Sequence, residues 1–289
     1  MKGMSANPYH IWQPKTLQSN LVFSSPHSGA DYPDDFVESS LLEQKLLRSS
    51  EDAFVHDLYR TAPDFGAPLI AAKIPRAYLD LNRAEDELDP ALIFGAPRKS
   101  PNPRVASGLG VIPRVVSEGR VIQHGKITLE DAEERIAKYY RPYHARLRLL
   151  MNAARASFGQ AVLIDCHSMP HSATENMVVK GGRRPDIIIG DRYGAAAPLD
   201  FVHFVQELFQ AEGFAVSRNV PFAGAYNLQT YGRPSYGMIA IQIEIDRSLY
   251  MDEAEIKKTK DYWDVKTRIG SVVKSLCSES WLDMPIAAE

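Results

Sequence analysis

The 289-residue sequence has little of what marks a secreted, membrane or nucleic-acid-binding protein. Its two cysteines, Cys166 and Cys277, form no CxxC pair, which leaves no disulfide framework and fits a reducing cytoplasm. No run approaches the roughly 18 apolar residues of a membrane helix, and the amino terminus lacks an apolar signal-peptide core. With a formal net charge of −3, neither a nucleic-acid nor a membrane partner is expected.

Several common catalytic fingerprints are missing as well. The sequence has no GxSxG nucleophile elbow, no Walker A phosphate loop and no GxGxxG dinucleotide loop. Hydrophobic residues make up 45% and charged residues 24% of the chain, which is ordinary for a globular protein. A chain of this length can bury a substantial core. We expect a single domain over 1–289, with residues 1–18 as an amino-terminal arm or edge.

Apolar runs alternate with helix-like segments along the chain. Strands are predicted at 21–25, 67–75, 161–165, 186–190, 214–220 and 237–249, and helices at 41–62 (in two pieces), 128–154, 199–213 and 252–277. This alternation predicts an α/β fold, a three-layer α/β/α sandwich around a mixed, mostly parallel sheet. Functional side chains of such folds gather at the carboxyl ends of the strands.

Two histidines directly follow predicted strands. His27 stands in SSPHSG and His167 in IDCHSMP, where Asp165 shares the strand face of His167 and could orient its imidazole. Because catalytic zinc commonly has three protein ligands, a third donor is needed. Asp52 is the candidate and Glu51 its rival. The alternatives are structural roles without a metal. A histidine in a turn is often a surface residue, and an acidic pair at a helix start often only interacts favourably with the helix dipole.

Glu244 lies on an otherwise apolar strand, IAIQIEI, where an unpaired carboxylate is costly to bury. It therefore either pairs with a cation such as Arg247 or Arg83, or faces a functional cavity in which it can act as a general base. Tyr226 lies in the glycine-rich segment FAGAYNLQTYGRPSYG. This segment could close over a ligand, or pack as an ordinary hairpin.

Three polar side chains lie in or near a long excursion that spans residues 80–115: Arg76, Asn82 and Arg83. Long loops of this kind are often functional. Arginine can hold a carboxylate through two hydrogen bonds, and asparagine can add further ones. The alternative is a salt bridge within the loop to the acidic residues at positions 80, 85 or 86.

Longer blocks of the sequence resemble the N-formylglutamate amidohydrolases, also called N-formylglutamate deformylases. The blocks include SSPHSGADYP, EDAFVHDLY, PRAYLDLNRAEDE, IDCHSMP and NVPFAGAYNLQTYGRPSYGMIAIQIEIDRSLYMD, in that order between residues 21 and 252. This family is related in fold to the zinc carboxypeptidases and aspartoacylases. The resemblance therefore implies the same phosphorylase/hydrolase-like three-layer architecture.

The resemblance implies a metal site and a catalytic set. His27, Asp52 and His167 match positions that hold one Zn²⁺ ion, with another divalent metal as the alternative, and Asp52 is favoured over Glu51. The chain departs from the family motif at Ser50, where the family has an acidic residue. The other implied residues are Glu244 and Arg247 for catalysis, and Asn82 and Arg83 for substrate binding. Arg76 and Tyr226 are further candidate substrate contacts, from their places near the long excursion and in the glycine-rich segment.

The implied reaction is the zinc-dependent hydrolysis of N-formyl-L-glutamate to formate and L-glutamate, with Glu244 assisting the attack of water. It would belong to histidine catabolism, in the cytoplasm, and be carried out by a monomer or small homo-oligomer. Near the DLNR motif the chain reads Ala84-Glu85-Asp86, a departure that bears on substrate choice. The alternatives are a metal-dependent hydrolase of another N-acyl amino acid or small amide, and a non-catalytic ligand-binding member of the family.

Overall fold

The computed structural model describes residues 7–97, 102–178 and 182–278. The strands are β1 (Tyr9–Trp12), β2 (Leu21–Ser25), β3 (Leu69–Ala72), β4 (Ile93–Phe94), β5 (Ile127–Thr128), β6 (Ala161–Met169), β7 (Ile187–Gly190), β8 (Val216–Arg218), β9 (Met238–Asp246), β10 (Met251–Asp252) and β11 (Lys257–Lys258). The α-helices are α1 (Asp34–Glu38), α2 (Gln44–Leu47), α3 (Val55–Leu58), α4 (Pro103–Ala106), α5 (Leu129–Arg135), α6 (Arg141–Phe158), α7 (Leu199–Ala211), α8 (Tyr226–Tyr231) and α9 (Tyr262–Ser278).

The chain divides into two compact units. Pro26–Ala53 and Ala71–Arg148 form most of the first unit, which contains α1, α2, α4, α5 and the short β4–β5 pair. Ile11–Ser25, Phe54–Ile70 and the residues from Leu149 onward form the second, which contains most of the main sheet. The single domain expected over 1–289 stays a prediction. Within the described residues, no helix is both long and apolar enough to cross a membrane.

The main sheet has seven strands in the order β1-β3-β2-β6-β9-β7-β8. β2, β6 and β9 pair in parallel, as do β7 and β8, whereas β7 runs antiparallel to β9. Helices flank the sheet: α3 lies against β2 and β6, α8 against β6 and β9, and α7 against β7 and β8. The predicted α/β fold with a mixed, mostly parallel sheet is confirmed, and the carboxyl ends of β2, β6 and β9 reach the same edge.

The amino-terminal segment was expected to form an arm or an edge. Its residues 9–12 form β1, which is the outermost strand of the main sheet. Residues 1–6 of that segment lie outside the described residues. The prediction of a strand at 67–75 is also correct in place, although β3 is shorter than predicted.

β6 continues beyond its predicted end at residue 165. Its pairing with β9 extends as far as Met169, which pairs with Asp246. All of β6 is buried, which explains its nearly continuous apolar run. His167 therefore lies within the strand and not just past its end, as the sequence had suggested. β9 in turn ends at Asp246 and not at residue 249, because the turn Arg247–Leu249 begins there.

The helical segment predicted over 41–62 is interrupted. After α2 a 3₁₀ turn, Arg48–Ser50, leads into irregular backbone, and Phe54 adopts a φ of 65° before α3 begins. The N–H group of Asp52 donates to the carbonyl oxygen of His27 at 3.0 Å. That hydrogen bond takes Asp52 out of any helical pattern, and it ties this residue to the backbone of His27.

The sequence Thr-Leu-Glu-Asp from Thr128 to Asp131 resembles a capping box, and the helix predicted there begins with one: the two residues exchange side-chain-to-backbone hydrogen bonds. α5 and α6 are joined by a π turn, Ile136–Tyr140, which lies just before Pro142. Proline has no N–H to donate to the carbonyl four residues earlier, and its ring crowds that carbonyl. A proline inside a helix is expected to kink it, and the widened turn is the form that the kink takes here.

α9 begins at Tyr262 and not at residue 252, because β10 and β11 first pair as a short antiparallel ribbon. Near its start three side chains converge on Asp57: the Lys258 Nζ atom at 2.9 Å, the Lys266 Nζ atom at 2.7 Å and the Tyr262 hydroxyl. Burial alone would raise the pKa of Asp57, but the hydrogen bonds from Lys266, Tyr262 and Lys258 outweigh it and hold that pKa below its usual range.

We expect Asp57→Asn to lower the free energy of unfolding at neutral pH by about 1–2 kcal/mol, because a neutral amide loses charge-assisted hydrogen bonds. The pKa of Asp57 is lower in the folded state than its unfolded value of about 3.9, so the ionised carboxylate stabilises the fold fully above that pH. This stabilisation is lost as the pH falls toward the folded-state pKa. The difference from the wild type should therefore shrink toward pH 3 in urea unfolding. Asp64→Asn, on an exposed residue, is the control, and an undiminished difference at low pH would contradict the assignment.

Candidate metal centre and active site

His27 follows β2 after a single proline and is only 2% exposed. Its Nε2 atom lies 2.7 Å from Asp80 Oδ1, and its Nδ1 atom faces Asp52 Oδ2 at 3.5 Å. An ionised carboxylate can only accept hydrogen bonds, so in the neutral ring Nε2 carries the proton and Nδ1 carries the lone pair. A carboxylate on one ring nitrogen is the usual way in which metal-binding histidines are oriented.

The sequence indicated only one role for Asp80, a salt bridge within the loop. Besides His27, it accepts hydrogen bonds from the Arg76 Nε atom at 3.0 Å and the Asn82 N–H group at 2.8 Å. Burial alone would raise the pKa of Asp80, but its contact with His27 and the charges of Arg76 and Arg83 outweigh it and hold that pKa well below its usual range. Asp80 is therefore an ionised acceptor that fixes the His27 ring.

The two acidic neighbours after the Arg48–Ser50 turn have different surroundings. Glu51 Oε1 accepts from Arg48 Nε at 3.0 Å and from the Tyr32 hydroxyl at 2.6 Å. Asp52 is the neighbour whose carboxylate faces the imidazole of His27. Asp52 therefore stays the predicted metal ligand, and Glu51 is held by Arg48 and Tyr32.

His167 is held in the second unit by a similar carboxylate. Its Nε2 atom lies 2.9 Å from Asp165 Oδ2, the contact that strand alternation predicted. Asp165 Oδ1 accepts further hydrogen bonds from Ser24 Oγ at 3.2 Å and from Asn227 Nδ2 at 3.0 Å. Asn227 belongs to α8, which begins at Tyr226, so this stretch is a short helix and not the hairpin that the sequence left open. With Nε2 committed to Asp165, the Nδ1 atom of His167 carries the lone pair.

Glu244 stands next to His167, because the two residues are register partners on β9 and β6. Parallel strands lie about 4.8 Å apart, and register partners project from the same face. The Glu244 side chain is 7% exposed, and its Oε1 atom accepts from Gln242 Nε2 at 2.8 Å. Just past the strand, the buried Arg247 donates from Nε to Ser168 Oγ at 3.1 Å.

The predicted substrate-binding residues of the first unit lie close together in sequence and in space. Arg76 forms an ion pair with Asp80, which was the predicted alternative to binding a substrate carboxylate. Arg83 is buried and donates from Nε to the Leu109 carbonyl and from Nη1 to the Asn82 carbonyl, both at 2.9 Å. Among the described residues, none accepts a hydrogen bond from the remaining Nη2 atom of Arg83.

Three buried side chains could hold a metal ion: His27, Asp52 and His167, whose candidate ligand atoms all lie within 4.8 Å of one another. Ligand atoms about 2.0–2.2 Å from a tetrahedral zinc ion are about 3.3 Å apart. The distance of 3.5 Å between His27 Nδ1 and Asp52 Oδ2 is close to that value. Two imidazole nitrogens and a carboxylate oxygen are donors that zinc and related divalent metals accept. The residues therefore fit the group that the sequence predicts.

The mixed α/β sheet carries a buried His–Asp–His group next to a carboxylate, an arrangement that suits a hydrolase whose site can hold a divalent metal. The family model described as N-formylglutamate amidohydrolase matches residues 19–251, which is most of the chain. The chain belongs to this family, and it is an amidohydrolase that acts on a linear amide.

Individual relatives agree with this membership. The chain is 30% identical over 242 residues to the N-formylglutamate deformylase of Pseudomonas putida, covering 81% of this chain and 83% of the relative. It is 29% identical over 241 residues to the N-formylglutamate deformylase of Pseudomonas aeruginosa, covering 81% and 82%. The crystal structure of N-formylglutamate amidohydrolase from Ralstonia eutropha JMP134 matches with a TM-score of 0.87 at 32% identity, covering 94% and 98%. The family predicted from the sequence is confirmed.

Proposed function

We propose that the protein hydrolyses N-formyl-L-glutamate to formate and L-glutamate with a zinc ion held by His27, Asp52 and His167. The observation that carries the proposal is the buried His–Asp–His group, one of whose histidines stands beside Glu244 on the neighbouring strand. The names of the relatives supply the substrate, since two of them are N-formylglutamate deformylases.

Each residue of the site has its own role in the proposed reaction. A divalent metal, when bound, supplies a Lewis acid and makes water a stronger nucleophile near neutral pH. Glu244 accepts a proton from the attacking water at its carboxylate and returns it to the departing amine nitrogen. Asp80 and Asp165 hold the two imidazoles in one tautomer and one orientation. Arg247 supplies positive charge for the oxyanion that develops on the formyl oxygen.

The substrate carries two carboxylates, and the chain offers matching donors. We assign one carboxylate to the Asn82 side chain and to the Nη2 atom of Arg83. The Nε and Nη1 atoms of Arg83 already donate to main-chain oxygens. A guanidinium held in this way is pre-ordered, so little side-chain entropy is lost on binding. Arg76 and the Tyr226 hydroxyl are the further proposed substrate contacts.

Formate release from N-formyl-L-glutamate by the zinc-loaded protein tests the proposal. We expect a higher kcat/KM for this substrate than for N-acetyl-L-glutamate or N-formimidoyl-L-glutamate, since the names of the relatives specify the formyl group. If fully loaded protein releases no formate, the assignment is wrong. A higher kcat/KM on another N-acyl amino acid would favour the related hydrolase, and binding without turnover would favour the non-catalytic alternative.

The remaining attributes follow from the reaction and the sequence. We infer a cytoplasmic enzyme of histidine catabolism that acts as a monomer or small homo-oligomer. The support is compositional, since two cysteines without a CxxC pair suit a reducing compartment.

A further inference from the structure

Four polar side chains form two parallel pairs on one face of the main sheet. The register places Asp165 opposite Gln242 and His167 opposite Glu244, on β6 and β9. In each strand the earlier residue is bonded to the later one: Asp165 to His167 at 2.9 Å, and Gln242 to Glu244 at 2.8 Å. The role of Asp165 as an orienting partner thus has a counterpart on the neighbouring strand.

We propose that Gln242 is a positioning residue for Glu244. Its amide holds one carboxylate oxygen of Glu244, so that the other oxygen is directed to the proton that must be moved. This inference rests on the proposed function, in which Glu244 is the general base.

The chemistry of the pair fixes which end of the amide faces the carboxylate. An ionised carboxylate only accepts hydrogen bonds, so the NH₂ group of Gln242 must point at Glu244 Oε1. Both side chains are buried, at 4% and 7% exposure. A charge-assisted hydrogen bond in such surroundings is stronger than one between neutral groups, and it offsets part of the cost of burying the carboxylate.

The surroundings of Gln242 give its amide no other evident purpose. Within the described part of the chain, Glu244 is the single hydrogen-bond partner of the Gln242 side chain. On the other flank its register partner in β7 is Gly190, which has no side chain to offer. A Cβ atom on Gly190 would lie 2.8 Å from the carbonyl carbon of Ala223, so main chain closes that flank. A buried amide in an apolar strand is costly unless it is hydrogen-bonded.

The length of the side chain matters as well. Residues i and i+2 of a strand are about 6.6 Å apart along its axis. The two methylenes of Gln242 carry its amide across most of that gap. Asparagine at this position would keep the amide but fall short by one carbon–carbon bond, about 1.5 Å.

Two substitutions test the role, with steady-state kinetics of formate release by the zinc-loaded protein. Gln242→Met removes the donor while keeping the shape, and Gln242→Asn keeps the donor but shortens its reach. We expect kcat to fall about tenfold in each, the effect of losing one hydrogen bond to a charged group, with KM within about twofold and zinc content unchanged. Ile243→Val, a conservative change on the opposite face of the same strand, is the control and should keep the wild-type kcat.

A double-mutant cycle separates positioning from a general effect on the strand. Gln242→Met should not lower the residual rate of Glu244→Gln any further, because the carboxylate that it orients is gone. The proposal is overturned if Gln242→Met keeps the wild-type kcat, if it loses zinc together with kcat, or if it lowers the rate equally in both backgrounds. Failure of the proposed function shows already in the wild-type protein, as absence of formate release, and is thus distinguishable from failure of this role.

Discussion

Replacing Glu244 by glutamine should lower kcat for formate release by about 10³-fold while zinc content and KM change little. The amide is nearly the same size as the carboxylate and keeps its place beside His167 on the neighbouring strand. It cannot accept a proton from water near neutral pH, so the loss falls on the chemical step and not on binding. Formate assays on zinc-loaded protein, with the metal measured in the same samples, give both quantities.

The matched control is Glu130→Gln, which makes the same chemical change on an exposed residue in the first turn of α5. It should retain full activity. If Glu244→Gln also retains it, Glu244 is not the base. If Glu244→Gln loses zinc in parallel with activity, Glu244 belongs with the metal ligands instead.

Asp52→Asn should weaken zinc binding by at least about 100-fold, more than the loss usually caused by changing a residue that only supports a ligand. The amide keeps the shape of the side chain but lacks the negative charge that offsets the charge of the ion. Competition with a chelator measures the affinity, and activity should fall in step with the zinc that is lost.

Glu51→Gln is the paired control, one residue away. Glu51 is bound by Arg48 and Tyr32, so its loss should lower thermal stability but leave zinc affinity within a few-fold of the wild type. The reverse result, with zinc lost in Glu51→Gln and kept in Asp52→Asn, would mean that the acidic ligand has been assigned to the wrong neighbour.

The sequence predicted best where the relevant contacts are local. Strand alternation alone placed Asp165 on the same side as His167, and the two are hydrogen-bonded. The capping box at Thr128 likewise lies within four consecutive residues, 128–131. Both contacts are set by backbone geometry over a few residues, so the spacing of the residue types predicts them directly.

Contacts between distant residues were missed for the same reason. Asp80 orients His27, which lies 53 residues earlier in the sequence. The residue types around either position do not predict that the two are in contact. The second of the two helical pieces predicted over 41–62 begins only at Val55, because the Asp52 N–H group first bonds to the carbonyl oxygen of His27. The end of β6 depends on its pairing with β9 and not on its own composition. The choice of Asp52 over Glu51 came from the family resemblance, since spacing alone could not separate the two.

The pairing of β6 with β9 restricts where residues can be inserted into the chain or deleted from it. Side chains alternate, so a one-residue insertion early in either strand would turn its polar set to the opposite face, where Cys166 and Ile243 now lie. An insertion in β6 would displace the imidazole and its supporting carboxylate together, and one in β9 would displace the base and its amide. Insertions and deletions should therefore accumulate in the connecting loops, while these two strands keep a fixed number of residues.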